Sequence, residues 1–157
     1  MMCLSEGRYR PRTMDFESLI SVLIEEHRTM EEGLARVRDA AHRRDFPEVS
    51  GALKELEPIF RQHIVDEESQ ILRLLVGELG VKGAEEEIRV FQQHRPIHRL
   101  MDAVSELASK SAPELETEQW KLSSLFLEHT ASEEGGVFPR ALRLAKDKRG
   151  TCASGVS

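Results

Sequence analysis

The chain has 157 residues, which is long enough for one domain with a substantial core. Charged residues make up 32% of the sequence and aromatic residues only 5%, and this composition favours an all-helical protein. The formal net charge of −6 disfavours a surface for nucleic acid or anionic membranes, and no apolar run approaches the roughly 20 residues of a membrane span.

Both ends of the chain are predicted to lie outside the folded domain, with residues 1–14 forming an N-terminal arm and residues 147–157 a disordered tail. The arm begins Met-Met-Cys-Leu-Ser-Glu-Gly-Arg, which lacks the apolar core of a signal peptide, so export is not indicated. The two cysteines, Cys3 and Cys152, lie in these end segments and are too few for a disulfide scaffold. The expected location is therefore the cytoplasm.

Four long helices are predicted between these ends, each with apolar residues at the spacing of a bundle. The first begins near Asp15, a good N-cap, and the second begins at the capping box Asp45-Phe46-Pro47-Glu48. The third covers about residues 84–109, and the fourth follows a second capping box, Ser111-Ala112-Pro113-Glu114. Short turns between helices of about 25–30 residues predict an all-α, up-down-up-down four-helix bundle over residues 15–146.

Histidine recurs on the core-facing side of all four predicted helices. Two segments share the pattern His-x-x-x-Glu, in which the two side chains lie one turn apart on the same helix face. The candidate metal ligands are the histidines and glutamates at these core-facing positions: His27, His63, Glu67, His94, His98, His129 and Glu133. A single buried histidine is more often a hydrogen-bonded core residue. Burying this many imidazoles and carboxylates without compensation would cost several kcal/mol each, however, and a metal supplies the compensation.

The candidate ligands are predicted to meet near the middle of the bundle. His27 and His63 lie equally far from the first turn, and Glu67 and His94 lie about equally far from the second. Seven ligands exceed what one ion takes, and they suit two ions bridged by the two carboxylates. Imidazole together with carboxylate fits iron, manganese or zinc, and the sequence does not choose among them. No glutamate stands three residues before a histidine, which excludes the usual carboxylate-rich site of ferritin-type bundles.

The neighbouring acidic residues are expected to have lesser roles. Glu68 and Glu134 stand about 100° away from the ligand face, where solvated or capping roles are expected. Glu26 and Asp66 are interpreted as ordinary surface charges. Glu31, one turn after the first core histidine, is predicted to project toward the metal layer and to gate one ion. The alternative is that this side chain points to solvent or pairs with an arginine.

These motifs resemble the hemerythrin, or HHE cation-binding, family over about residues 15–145. The resemblance rests on Glu-Glu-His-Arg at 25–28, on the two His-x-x-x-Glu pairs and on His94-x-x-x-His98. It implies a non-haem di-iron centre inside a four-helix bundle, with an oxo or hydroxo group between the two iron ions. Carried over to this chain, the ligands are His94, His98 and His129 for one iron, His27 and His63 for the other, and Glu67 and Glu133 as bridges.

The resemblance also implies that a small molecule binds at the iron pair. Oxygen carriers of this family have His-x-x-x-x-Asp where this chain has His129-x-x-x-Glu133, so bulk oxygen transport is not expected. The leading expectation is a cytoplasmic di-iron protein that binds or senses O₂, NO or peroxide, rather than a bulk oxygen carrier. It would be a monomer or dimer without nucleic-acid or membrane partners. The alternatives are a di-iron enzyme or iron-handling protein, acting in peroxide response or iron-centre repair, and a metal-stabilised interaction module that binds zinc.

Overall fold

A computed structural model describes residues 9–153 of the chain, and residues 1–8 and 154–157 lie outside the described part. The described residues form seven α-helices and two π-helical turns, without β-strands. The α-helices are α1 (Phe16–His42), α2 (Phe46–Asp66), α3 (Arg73–Gly83), α4 (Glu85–Gln92), α5 (His94–Ser109), α6 (Leu115–Ser132) and α7 (Phe138–Ala153). The π-helical turns are Glu67–Leu72 and Glu133–Val137.

These elements join end to end into four rods. The first rod is α1 alone, and the second consists of α2, the first π-helical turn and α3. The third rod is α4 followed by α5, and the fourth is α6, the second π-helical turn and α7. α1 packs against α2 and α6, and α5 packs against the same two helices. Because short turns reverse the chain between rods, consecutive rods run antiparallel, and the predicted up-down-up-down four-helix bundle is confirmed.

Side-chain caps fix where the first two rods begin. Asp15 accepts a hydrogen bond from the backbone N–H of Ser18 at 2.9 Å, and Asp45 accepts one from the backbone N–H of Glu48 at 3.2 Å. The capping box predicted for the fourth rod does not form, since α6 begins without a side-chain cap. Ser111 instead takes a left-handed backbone conformation, with φ of 50°, in the turn before that helix.

Two separate apolar clusters fill the bundle, one on each side of the level of the core histidines. Phe60 and Phe126 belong to the cluster toward the turn between α1 and α2. Phe91 and Phe138 belong to the cluster at the opposite end of the bundle. All four rings are at most 4% exposed, so the polar layer between them is sealed above and below by apolar side chains.

The structure corrects the prediction of a disordered C-terminal tail. α7 runs past residue 146, so residues 147–153 are helical. Lys148 pairs with Glu78 at 3.0 Å, and Arg149 pairs with Glu17 at 3.4 Å. These ion pairs join the last helix to α3 and α1. The tail therefore lengthens the fourth rod.

The other predictions for the chain ends fall partly outside the described residues. Cys3 and the first half of the predicted arm lie in residues 1–8, and the end of the predicted tail lies in residues 154–157. Cys152 is exposed on α7. Among the helices of the described part, none combines the length and the apolar character required to cross a bilayer.

Candidate metal centre

Six of the seven predicted ligands converge between the two apolar clusters. Their side chains are buried, with at most 4% of each residue exposed: His27, His63, Glu67, His94, His129 and Glu133. They supply two groups of four possible ligand atoms, and within each group all atoms lie within 4.8 Å of one another. One group holds His27 and His63, the other holds His94 and His129, and both include Glu67 and Glu133.

Each carboxylate divides its two oxygens between the two groups. Oε1 of Glu67 lies 3.0 Å from Nε2 of His63, and Oε2 of Glu67 lies 2.9 Å from Nε2 of His94. The corresponding contacts of Glu133 are Oε2 to Nε2 of His27 at 3.0 Å and Oε1 to Nε2 of His129 at 2.8 Å. Each group therefore combines two nitrogen and two oxygen donors, and the two groups share the same two carboxylates.

Most of these inward-facing atoms lack a hydrogen-bond partner in suitable geometry. Both oxygens of Glu67 and of Glu133 are buried without one, as are Nε2 of His94 and Nε2 of His129. A buried polar atom left in this condition costs about 1–3 kcal/mol, and more when it is charged. Cations at the two positions would compensate all six atoms at once, so the donor set fits a metal pair.

The outer ring nitrogen of each convergent histidine has its own polar contact. Three Nδ1 atoms contact glutamate oxygens and the fourth contacts an amide oxygen: His27 to Glu134 at 2.8 Å, His63 to Glu26 at 2.9 Å, His94 to Glu68 at 3.1 Å and His129 to Gln93 at 3.1 Å. When Nδ1 donates its proton outward, the lone pair of Nε2 points inward. Metal-ligating histidines are held in this way, because the outer contact fixes the tautomer and the ring orientation.

The π-helical turns explain why two of these outer contacts, those of Glu68 and Glu134, were not predicted from the sequence. Each turn begins at a bridging glutamate and includes the next residue, so Glu67 is followed by Glu68 and Glu133 by Glu134. Because a π-helix closes its hydrogen bonds five residues apart, it widens the helix, and regular α-helical spacing no longer gives the side-chain directions. The repeated Glu-Glu pair and the glycine pair at 135–136 were the available signals.

The charged residues of the site shift one another's pKa values. Burial opposes protonation of His63, but the charge of Glu67 and close contacts with Glu26 and Glu67 outweigh it and raise the pKa to about 9. Burial likewise opposes protonation of His94, while close contacts with the surrounding glutamates raise its pKa well above the usual value. Burial favours the neutral form of Glu133, but close contacts with three histidines hold its pKa well below the usual range. Protons and metal ions therefore compete for the same nitrogens.

The structure does not bring His98 to the cluster. Its neighbours are Asp102 and Phe60. The carboxylate of Asp102 lies 3.3 Å from Nδ1 of His98, and the Phe60 ring is stacked on the His98 imidazole with 6.4 Å between the ring centroids. The His98 side chain is 32% exposed, whereas Ile97 is fully buried. The buried face of α5 runs from His94 to Ile97, three residues later. His98, one residue further on, lies beside this face and not on it.

The gating role predicted for Glu31 is also wrong. Its carboxylate pairs with Arg28 at 3.4 Å, and its side chain is 30% exposed. Met30 and Leu34 occupy the buried positions of this part of α1. The alternative expectation, in which Glu31 pairs with an arginine, describes the observed contact.

Comparisons with known proteins agree with this geometry. A family model described as the hemerythrin HHE cation binding domain matches residues 18–147, which include all six convergent side chains. Neither the curated proteins nor the solved structures give a match. The family match covers most of the chain and the whole polar layer, so this chain belongs to the hemerythrin HHE cation-binding family.

Proposed function

We propose that the cluster holds two iron ions and that the protein binds O₂, NO or peroxide there, as a sensor rather than a bulk carrier. The observation that carries the proposal is the division of the oxygens of Glu67 and Glu133 between two donor groups. A single ion would use one group and leave the carboxylate oxygens and imidazoles of the other without a partner. Two bridged ions use every inward-facing donor.

With this donor count, a metal pair that binds a small molecule fits iron better than zinc. Each position has two imidazole nitrogens and two carboxylate oxygens. Four donors complete the tetrahedral shell that zinc prefers, whereas iron accepts further ligands in a six-coordinate shell. A di-iron pair with open positions supplies reversible binding or reduction of small oxygen and nitrogen species. The chain's own contribution is to fix the imidazoles through their outer contacts and to exclude bulk water with the phenylalanine layers.

The access of solvent to one candidate ligand supports a role in sensing oxygen rather than in transporting it. A surface pocket of about 470 Å³ reaches His94 and is lined in part by Glu68, Gln92 and Arg95. Water in this pocket reaches the outer side of one ligand ring, and solvent access helps to set the redox potential of a metal site. We therefore expect oxidation of the iron to compete with reversible oxygen binding.

The remaining features of the proposal concern location and partners. We infer a cytoplasmic protein whose ligand is a small diatomic molecule or peroxide, acting as a monomer or dimer. The formal net charge of −6 supports the inference that nucleic acid is not a partner.

Metal analysis and visible spectroscopy test the proposed function directly. Protein produced in iron-rich medium should contain two irons per chain and show charge-transfer bands that change on titration with NO and with O₂. One tightly bound ion per chain, or none, would contradict the metal pair. A colourless, zinc-loaded protein would point to an interaction module, and catalytic turnover of peroxide would point to an enzyme.

The position of His98 gives a second, sharper prediction. His98→Ala should keep two metal ions per chain, because this side chain lies outside both donor groups. His94→Ala should lose at least one, because Nε2 of His94 faces Glu67 inside the cluster. Metal analysis after gel filtration measures both. Loss of an ion from His98→Ala would show that His98 turns inward when metal binds.

A further inference from the structure

A buried carboxylate outside the cluster holds the N-terminal arm. Asp66 is fully buried, and it is the last residue of α2, directly before the first π-helical turn. Its oxygens accept hydrogen bonds from the backbone N–H of Arg12 at 2.7 Å and from Nε of Arg12 at 2.6 Å. Gln62 and Gln70 donate to the same carboxylate at 3.1 and 3.2 Å. Asp66 is therefore a buried acceptor for one arginine of the arm, and not the surface charge predicted from the sequence.

The same two glutamines hold the backbone of the arm. The side-chain amide of Gln62 donates to the carbonyl of Arg10 at 2.8 Å, and that of Gln70 donates to the carbonyl of Arg12 at 3.0 Å. Met14 packs against the apolar cluster beneath this segment. Residues 9–14 thus run along the second rod at the level of the metal centre.

A short chain of polar contacts connects this arm to a candidate metal ligand. Nη2 of Arg12 forms an ion pair with Oε1 of Glu26 at 2.7 Å. The other oxygen of Glu26 contacts Nδ1 of His63 at 2.9 Å. The inner nitrogen of His63 faces the cluster, 3.0 Å from Oε1 of Glu67. Two contacts therefore separate the arm from an inward-facing ligand nitrogen.

The three outer glutamates differ in how firmly they are enclosed. The Glu26 side chain, covered by the arm, is 16% exposed, whereas Glu134 is 26% and Glu68 is 51% exposed. Glu134 pairs with Arg28 of α1, whose side chain is itself 48% exposed. The arm therefore covers the outer contact of His63, while the outer contact of His94 faces the pocket at Glu68.

We propose that residues 9–14 form a strap over the His27–His63 half of the metal centre and that Arg12 is its positioning residue. Arg12 links Asp66 to Glu26 and so holds the carboxylate that orients His63. The proposal rests on the proposed metal pair, but not on which small molecule the pair binds. Without Arg12, Glu26 is free to turn to solvent, and His63 loses the contact that directs its inner nitrogen. Outer contacts of this kind change metal affinity by about 10–100-fold.

The test uses the full chain loaded with Co²⁺. A chelator removes the ions, and the visible absorption bands of bound cobalt report their release. Arg12→Gln should speed the release of one of the two ions by about 10–100-fold and leave the other at the parent rate. Arg10→Gln is the matched control, because it removes a positive charge from the same arm while keeping the backbone carbonyl that Gln62 contacts. Glu26→Gln should reproduce the effect of Arg12→Gln, and combining the two should add little.

Proton NMR of the cobalt-loaded protein separates positioning from a general loss of stability. The four outer Nδ1–H protons should give exchangeable signals shifted by Co²⁺, and Arg12→Gln should move the signal of His63 alone. If Arg12→Gln folds poorly, adding Asp66→Asn removes the unpaired buried charge, and fast release of one ion should persist.

The possible failures are distinguishable. A parent protein that does not bind two Co²⁺ ions overturns the proposed metal pair itself. If the protein binds two ions and Arg12→Gln changes neither their release rates nor the NMR signals, the proposed strap is wrong. A uniform change in all four signals, or in both release rates, overturns the positioning role in favour of a general structural one.

Discussion

Removing the metal ions should lower the melting temperature by on the order of 10 °C at neutral pH. A ligand present at about 1,000 times its dissociation constant stabilises the folded state by about 4 kcal/mol, and 1 kcal/mol shifts the melting of a chain this size by about 2–4 °C. The physical reason is that chelation leaves six inward-facing polar atoms without partners in a layer sealed by apolar side chains.

The effect of metal removal should also grow as the pH rises. In the metal-free protein, the pKa of His63 is raised to about 9, so its protonation stabilises the fold. That contribution is fully present below about pH 6.5, the usual histidine pKa, and is lost as the pH rises through about 9. Metal binding has the opposite dependence, because the ligand nitrogens must be deprotonated. The difference in melting temperature between loaded and stripped protein should therefore widen between pH 6.5 and 9.

Thermal melts of the loaded and chelator-treated protein across this pH range measure both effects. Adding the metal back to the stripped protein is the control, since it should restore the original melt if chelation did no other damage. Equal melting with and without metal would mean that hydrogen bonds and water satisfy the polar layer.

The fold was largely predictable because its signals are local. Asp15 and Asp45 mark helix starts through hydrogen bonds to backbone groups three residues away. The apolar stripes fix which faces are buried. The helical end of the fourth rod was missed because its cause is not local: Lys148 and Arg149 pair with residues of α3 and α1 that are distant in sequence.

The inner layer of the site followed from the sequence for a similar reason. His63 and Glu67 lie one helical turn apart on the same face. Their distance in sequence from the connections between rods sets their height along the bundle, and so which residues of the other rods they meet. The outer contacts depend on geometry that regular helix spacing does not give. Glu68 is directed toward His94 by a π-helical turn, and Glu26 is enclosed by an arm that folds back from outside the bundle.

Replacing one of the two carboxylates shared by both donor groups should lower the metal content of the protein. Glu67→Gln keeps the shape of the side chain but leaves one oxygen, so it can serve only one of the two donor groups. The amide nitrogen that replaces the other oxygen is a donor and cannot bind a cation. Metal content should fall from two ions per chain to one or fewer, as measured by metal analysis after gel filtration.

Glu68→Gln is the matched control, because it makes the same chemical change one residue later. Glu68 contacts the outer nitrogen of His94, at 3.1 Å, and belongs to neither donor group, so this variant should still bind two ions, with affinity weaker by about 10–100-fold. Glu67→Gln should have a further consequence in the stripped protein. The charge of Glu67 helps to raise the pKa of His63, so its loss should weaken the dependence of metal-free stability on pH between 6.5 and 9. Two ions bound to Glu67→Gln with the parent affinity would show that Glu67 does not bridge the two positions.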